Sequence, residues 1–492
     1  MPLSAIAKIE GGITKDQKRP RTATMREVPY LRVANVQRGF LDLTEMKTIL
    51  AEEEEIEALR LQEGDILFTE GGDRDKLGRG WVWNGEVAEC IHQNHIFRAR
   101  LCSADLEPRF ISYHGNHFGQ KWFVRTGKQT TNLASINKGV LSRFPVPVAP
   151  AHEQRRIVAK IDELFSDLDA GVAALERVTA NLKRYRAAVL KAAVQGRLTA
   201  EWRKKNRPRE NGPQLLARIL GERRREWEGR QLAAFAKVGK TPLAKWKENY
   251  KEPAGPDCTN LPTLPEGWCW ATVAQVLVEP SCNGISVKGS NEPPGVPALR
   301  LSAMGTLGFD YSERRYIPIS EDTADALAIQ KGDFFVARGN GSLHLVGRGT
   351  LAQQPSERIV FPDTMIRLRF GFPDTIRKFI ALIWPSRLLR GQIERRARTT
   401  AGIYKISQRD IDAFTVPLPP LDEQSQIIAE IDRRLSVSDE ADSEIHANVR
   451  RSVRLRQSIL KRAFEGRLVP QDPNDEPAIS GVTARGDCHE MA

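Results

Sequence analysis

The sequence is written twice, and that repeat limits the fold more than any other feature of the chain. Residues 144–162 laid over residues 414–432, a shift of 270, give ten identities in nineteen positions. Among them are Pro147/Pro417, Glu153-Gln154/Glu423-Gln424 and Ile161-Asp162/Ile431-Asp432. Residues 190–198 over 460–468 add six in nine and end on Gly196-Arg197-Leu198 and Gly466-Arg467-Leu468. Unrelated segments of this length share about two residues. Gly64-Asp65/Gly332-Asp333 and Arg79-Gly80/Arg348-Gly349 fall near the same shift, although the sequence between them is hardly alike. Such a chain folds as two similar frames with different contents.

Each half has one layout. Short apolar runs broken by Gly and Asp come first, VPYLRVANV and EGDILFTEGGDRDKLGRG in one half, VPALRLSAM and KGDFFVARGNGSLHLVGRG in the other, which predicts strands and turns. Pro-rich exits follow, FPVPVAPAHEQ and FTVPLPPLDEQ, where proline fixes an extended approach to a long helix. In the first helix Ile157, Ile161, Leu164, Leu168, Val172, Leu175, Val178, Leu182, Tyr185 and Val189 step by three or four, an apolar seam longer than one small domain needs. The second keeps Ile427, Ile431, Leu435, Ile445, Leu455 and Ile459 but places Ser438, Asp442, Asn448 and Ser452 on the seam. A helix over 153–195 is about 60 Å long. The duplicated seam predicts that the two helices pair antiparallel, holding the globular halves apart like a ruler with two different readers.

The predicted fold class is α+β. Two mixed α/β recognition domains are separated by two long antiparallel coiled-coil helices, with a pseudo-two-fold made by the internal repeat. The expected boundaries are 1–148 for the first domain, 149–200 for the first long helix, 201–262 for a basic linker with a short helix, 263–418 for the second domain, 419–469 for the second long helix and 470–492 for a flexible tail.

Charge and composition narrow the function. The chain has 492 residues and a net charge of +12, and fifteen Lys/Arg stand against six Glu within residues 201–251. Most of the basic surplus is therefore linker charge, and specific DNA contact has to come from aimed cations elsewhere. No apolar run has membrane-spanning length and no secretory pattern opens the chain, so a cytoplasmic protein is expected. Six cysteines without a Cys-x-x-Cys pair predict reduced, mostly buried thiols and no structural zinc.

Chemistry-bearing motifs are missing. No G-x-x-x-x-G-K-[ST] loop occurs. Asn291-Glu292-Pro293-Pro294-Gly295 lacks the aromatic that stacks on a flipped base and reads as a turn. Pro362-Asp363 is not followed by the Glu-x-Lys of a nuclease, and the pairs His92/His95 and His114/His117 lack supporting metal ligands. No catalytic residue and no metal ligand is expected.

The chain resembles the specificity subunits of type I restriction-modification systems. The resemblance rests on LPEGW at residues 264–268, the P-x-P-x-x-x-E-Q type exits at 147–154 and 417–424, the G-R-L helix ends and LVPQDPNDEPA at 468–478, and it spans nearly the whole chain. The chain opens without an LPEGW lead, so its first domain is expected to be trimmed at the edge. The C-terminal end lacks the helix-like PQLLARILGERRRE that follows the first long helix. The resemblance implies a subunit with no cofactor of its own that reads a bipartite, asymmetric site in double-stranded DNA, one half-site per domain, and docks two modification subunits on its helices. It implies adenine methylation from S-adenosylmethionine by those subunits, and in some complexes two restriction subunits that use ATP and Mg. The competing readings are a self-contained restriction-methylation enzyme and a coiled-coil scaffold that binds only proteins.

Two candidate DNA surfaces recur in both halves. The first comprises Gly72, Arg74, Lys76 and Arg79, matched by Arg338, Asn340, Ser342, His344 and Arg348: glycine allows close approach, Arg forks onto guanine and Asn onto adenine. The alternative is hairpin turns with solvated charges. The repeated Arg79-Gly80/Arg348-Gly349 suits phosphate contact or scaffold better than base reading, because shared residues cannot tell unlike half-sites apart. The second surface is Lys128 and Gln129 in one half and Arg398, Tyr404 and Lys405 in the other.

Overall fold

The computed structural model describes residues 1–14, 22–73, 76–129, 134–242, 245–259, 261–305, 308–371, 373–400 and 402–478. The chain divides into two compact units, Met1–Glu176 together with the chain from Ile445 onward, and Arg177–Glu444. Each unit thus holds one globular domain and part of each long helix.

In the first unit the run ILFT forms a fully buried strand, Ile66–Thr69. It lies between Ile96–Leu101 and Gly80–Val82, with Ala7–Gly11 beyond, all neighbours antiparallel. A second sheet pairs Arg26–Leu31 antiparallel to Lys47–Ala51 and parallel to Ile91–His92. The second unit repeats the main sheet with Phe334–Ala337, also buried throughout, between Met365–Leu368 and Gly349–Leu351. Two helices follow the sheet in each unit, Pro108–His117 and Gly119–Thr126 in the first, Asp374–Ile383 and Arg387–Arg396 in the second.

The repeated motifs are structural joints. Asp65 and Asp333 are buried and each accepts a two-pronged Arg: Arg100 at 2.8 and 2.7 Å, Arg369 at 2.6 and 3.1 Å. The Arg-Gly repeat closes a strand, since Thr69 donates its N–H to the Arg79 carbonyl and Ala337 to that of Arg348, both at 2.9 Å. A Cβ on Gly80 would sit 1.8 Å from the Leu67 carbonyl oxygen, so only glycine fits there. The Gln of each EQ pair folds back on its proline-rich exit, Gln154 Nε2 donating to Ala149 O at 2.7 Å and Gln424 Nε2 to Pro419 O at 2.8 Å.

The long helices run over Ala151–Val194 and Leu421–Phe464, 44 residues each. Both end on a glycine in the left-handed region, Gly196 at φ 66° and Gly466 at φ 67°, where the next N–H returns to the carbonyl five residues back. The seam is dry where a domain adds a third layer. Ile157 and Ile161 share the first unit's core with Ala463, flanked by Ile459 and Phe464, and Ile427 and Ile431 share the second unit's core with Val189, Leu190 and Val194, flanked by Leu435. Leu164, Leu168, Leu175 and Leu182 are half-buried and Ile445 is buried, but Leu455 is 41% exposed and Val178 and Tyr185 43%. Two helices alone leave part of an apolar stripe wet. In the second unit the polar position is used directly, as Arg186 Nε donates to the buried Ser438 hydroxyl at 3.0 Å.

The basic linker holds more helix than expected. Beyond Ala200–Lys205 comes Gly212–Lys237, 26 residues started by an Asn211/Gln214 capping box. Its buried residues are Gly212, Leu215, Ile219 and Arg223, all in the first half. The cysteines also depart from expectation: Cys90 is buried, Cys258 is exposed, Cys269 and Cys282 are half-buried, all four free, and Cys102 is disulfide-bonded. The expected tail lies outside the described residues from position 479. Among the described residues no helix is long and apolar enough to cross a membrane.

Candidate nucleic-acid interface

The two surfaces nominated from the sequence are one surface in each unit. In the first, Gly71–Gly72, Ala134–Ser135 and Lys128–Gln129 form a small antiparallel sheet with Ser135 opposite both Gly71 and Lys128. In the second, Gly339–Asn340, Ile403–Lys405 and Arg398–Thr400 form the same sheet with Lys405 opposite both Gly339 and Arg398. The frame beneath is also shared: Ile136 donates its N–H to Glu70 O and Ile406 to Arg338 O, both at 2.8 Å. Asn137 and Ser407 then cap the next short helix.

The nominated side chains divide. Gly72 has φ 143°, a backbone conformation that favours glycine. Lys76 is paired with Asp73 and holds that carboxyl below its usual range. Arg79 faces inward, donating to Gln37 Oε1 at 2.9 Å and to Val33 O at 3.2 Å, so it serves the scaffold. Arg348 contributes its carbonyl to the matching strand closure. Arg74 lies outside the described residues, as does the side chain of Gln129. In the second unit Asn340 accepts the Ser342 N–H at 3.1 Å, His344 is exposed, and half-buried Tyr404 packs against the core. Arg390, which sequence reasoning missed, pins this loop by donating to Leu343 O and Val346 O, both at 2.7 Å.

The second unit's sheet borders a depression of about 590 Å³ lined by Arg338, Arg396, Arg398, Lys405 and Arg409. None of the five has a carboxylate within ion-pair distance among the described residues. Asp410 lines it too, but its carboxylate is taken by the Ser407 N–H and hydroxyl. Arg396 is held in place from within, donating to Asp410 O at 2.7 Å with its guanidinium over the Phe414 ring. Arg396 and Arg409 were invisible as site residues in the sequence, because each sits in a charged stretch that reads as a solvated helix face. Among the described residues no cluster of His, Cys, Asp and Glu could hold a metal.

Comparison with known proteins identifies the frame. The chain is 25% identical to the type I restriction enzyme EcoKI specificity subunit of Escherichia coli K12 over 98% of its length and 91% of that protein. It is 24% identical to the StySPI specificity subunit of Salmonella potsdam, again over 98% of the chain and 91% of the relative. The chain is a homologue of type I restriction specificity subunits. A chain from a solved structure described as the basis of complex assembly and conformational transition of the type I R-M system matches the fold at TM-score 0.57 and 18% identity, covering 95% of this chain and 97% of that one. No family profile matches the chain.

The motifs behind the specificity-subunit resemblance have local physical roles in this chain. Trp268 of LPEGW donates from Nε1 to Glu423 Oε2 at 2.8 Å. The same buried carboxylate accepts Thr199 Oγ1 at 2.6 Å and Arg203 Nε at 3.0 Å. One carboxylate thereby ties the start of the second domain, the end of the first helix and the start of the second helix into one joint.

Proposed function

We propose that the chain is the non-catalytic DNA-specificity subunit of a type I restriction-modification complex, reading a bipartite asymmetric site with one domain per half-site. The observation that carries this is the pair of equivalent small sheets, identical in topology and register frame, whose side chains differ at matched places: Glu70 against Arg338 and Ser135 against Lys405. Shared frame with unlike surface is what two readers of unlike sequences require. Two modification subunits dock on the long helices and carry out adenine methylation with S-adenosylmethionine. Where restriction subunits join, ATP and Mg serve them and not this chain.

Reconstitution tests the reading. The purified chain alone should transfer no methyl group from labelled S-adenosylmethionine, and addition of its modification partner should give methylation at one split site. Methyl transfer by the chain alone would restore the enzyme reading. A loaded complex that shifts no duplex in moderate salt would leave only a protein scaffold.

A further inference from the structure

We infer that the second domain is the electrostatic anchor of the DNA complex, gripping duplex phosphates strongly, while the first domain reads its half-site with little phosphate contact of its own; this rests on the function proposed above.

The pseudo-symmetry permits a position-by-position comparison. Arg338 corresponds to Glu70, each accepting the N–H of the residue after the middle strand. Arg396 and Thr126 are the last residues of matching helices. Arg398 and Lys128 face Lys405 and Ser135 across the sheet. Arg409 and Gly139 stand two residues beyond the caps Ser407 and Asn137. Five cations in the second domain thus face one cation and one carboxylate in the first. That carboxylate, Glu70, bonds His95 at 2.5 Å. The first domain gains Lys138 at the place of Gln408 and Arg143 at the place of Ala413, while Asp410 of the second domain stands where the first has Val140, so the second site stays the more cationic by a smaller margin.

A phosphate needs a cation with spare donors at a fixed place. The second-domain set meets this. Its members lack ion-pair partners among the described residues, Arg396 is braced by Asp410 O and the Phe414 ring, and Arg338 Nη1 is held by Asp363 O at 3.3 Å. The depression continues into a second one of about 550 Å³ through the shared residues Arg396, Arg409 and Ala413, where Arg395, matched by Arg125 in the first domain, lies with the carboxylates of Asp257 and Asp412. Each neutralised phosphate releases condensed counterions, so the anchor domain should supply most of the salt dependence of binding.

The test measures affinity of the partner-loaded complex across a salt series, using a labelled duplex that carries the site found by methylome sequencing. Neutralising R396Q/R398Q/R409Q should flatten the slope of log affinity against log salt by about 2.7, at about 0.9 per lost phosphate contact. The nearest first-domain cations, changed together as R125Q/K128Q/K138Q at the places of Arg395, Arg398 and Gln408, should flatten it by less than half as much. If R396Q harms folding, R398Q/K405Q, which alters two exposed residues, should still remove about 1.8. R396K/R398K/R409K should restore the parental slope. Equal flattening by the two domain sets, or a larger effect of the first, overturns the inference. A parent complex with no preference for its methylated site overturns the proposed function instead.

Discussion

Arg186 donates from Nη2 to Asp439 Oδ1 at 2.7 Å, and Arg456, 270 residues after Arg186, makes the same contact with Asp169, 270 residues before Asp439. The two clasps are one contact produced twice by the repeat. Each joins the long helices within its own unit.

The clasps differ in what lies beneath them. Asp439 and Asp169 are exposed, so the ion pairs themselves should contribute under about 1 kcal/mol in a double-mutant cycle. Ser438 is buried, and Ser438→Ala leaves the Arg186 Nε without its acceptor. Urea unfolding should therefore rank Ser438→Ala, at about 1 kcal/mol, above Asp439→Ala. The reverse order would make the exposed pair the register lock.

The buried Asp joints should be far more sensitive. Arg100→Ala strands Asp65, and Arg369→Ala strands Asp333, each leaving a buried carboxylate with its charged partner gone. A loss of about 3–5 kcal/mol is expected in each case. Equal losses in the two domains, measured by denaturant unfolding, would confirm that the repeat preserves energetics as well as geometry.

Two histidines make the first domain acid-sensitive. Burial pushes His92 and His114 down to about 4, and His114 lies among the rings of Phe118, Phe144 and Phe464. Both are neutral in the fold, while the unfolded chain takes up their protons near the ordinary value of 6.5. Their contribution is full above about pH 6.5 and is lost as pH falls towards about 4, up to about 3 kcal/mol for each group. His114→Phe should flatten this part of the stability profile. An unchanged acid slope would show that His114 is protonated in the fold.

The frame was legible because repeats, proline exits and apolar spacing are local signals. The Glu153-Gln154/Glu423-Gln424 and Gly-Arg-Leu motifs marked helix starts and ends, and they hold those places by a side-chain fold-back and a left-handed glycine. The site was only half legible. Glycine and arginine pointed to the 71–79 and 338–348 loops, but strand pairing decides that Lys128 and Arg398 join them, and tertiary hydrogen bonds decide that Arg79 turns inward. Arg396 and Arg409 could not be singled out, because their meaning depends on which of many helix-surface cations face the sheet. Spacing reports which face of a helix is apolar and not how fully that face is covered, as the part-exposed Leu455 shows.

The most direct test of two independent readers in one chain is a domain exchange read by methylome sequencing. Residues 1–148 are replaced by the matching segment of another specificity subunit, and the modified sites are mapped in a host carrying the modification partner. One half-site should change while the other half-site and the spacing between them stay as they were. A simultaneous change in both half-sites would contradict the account.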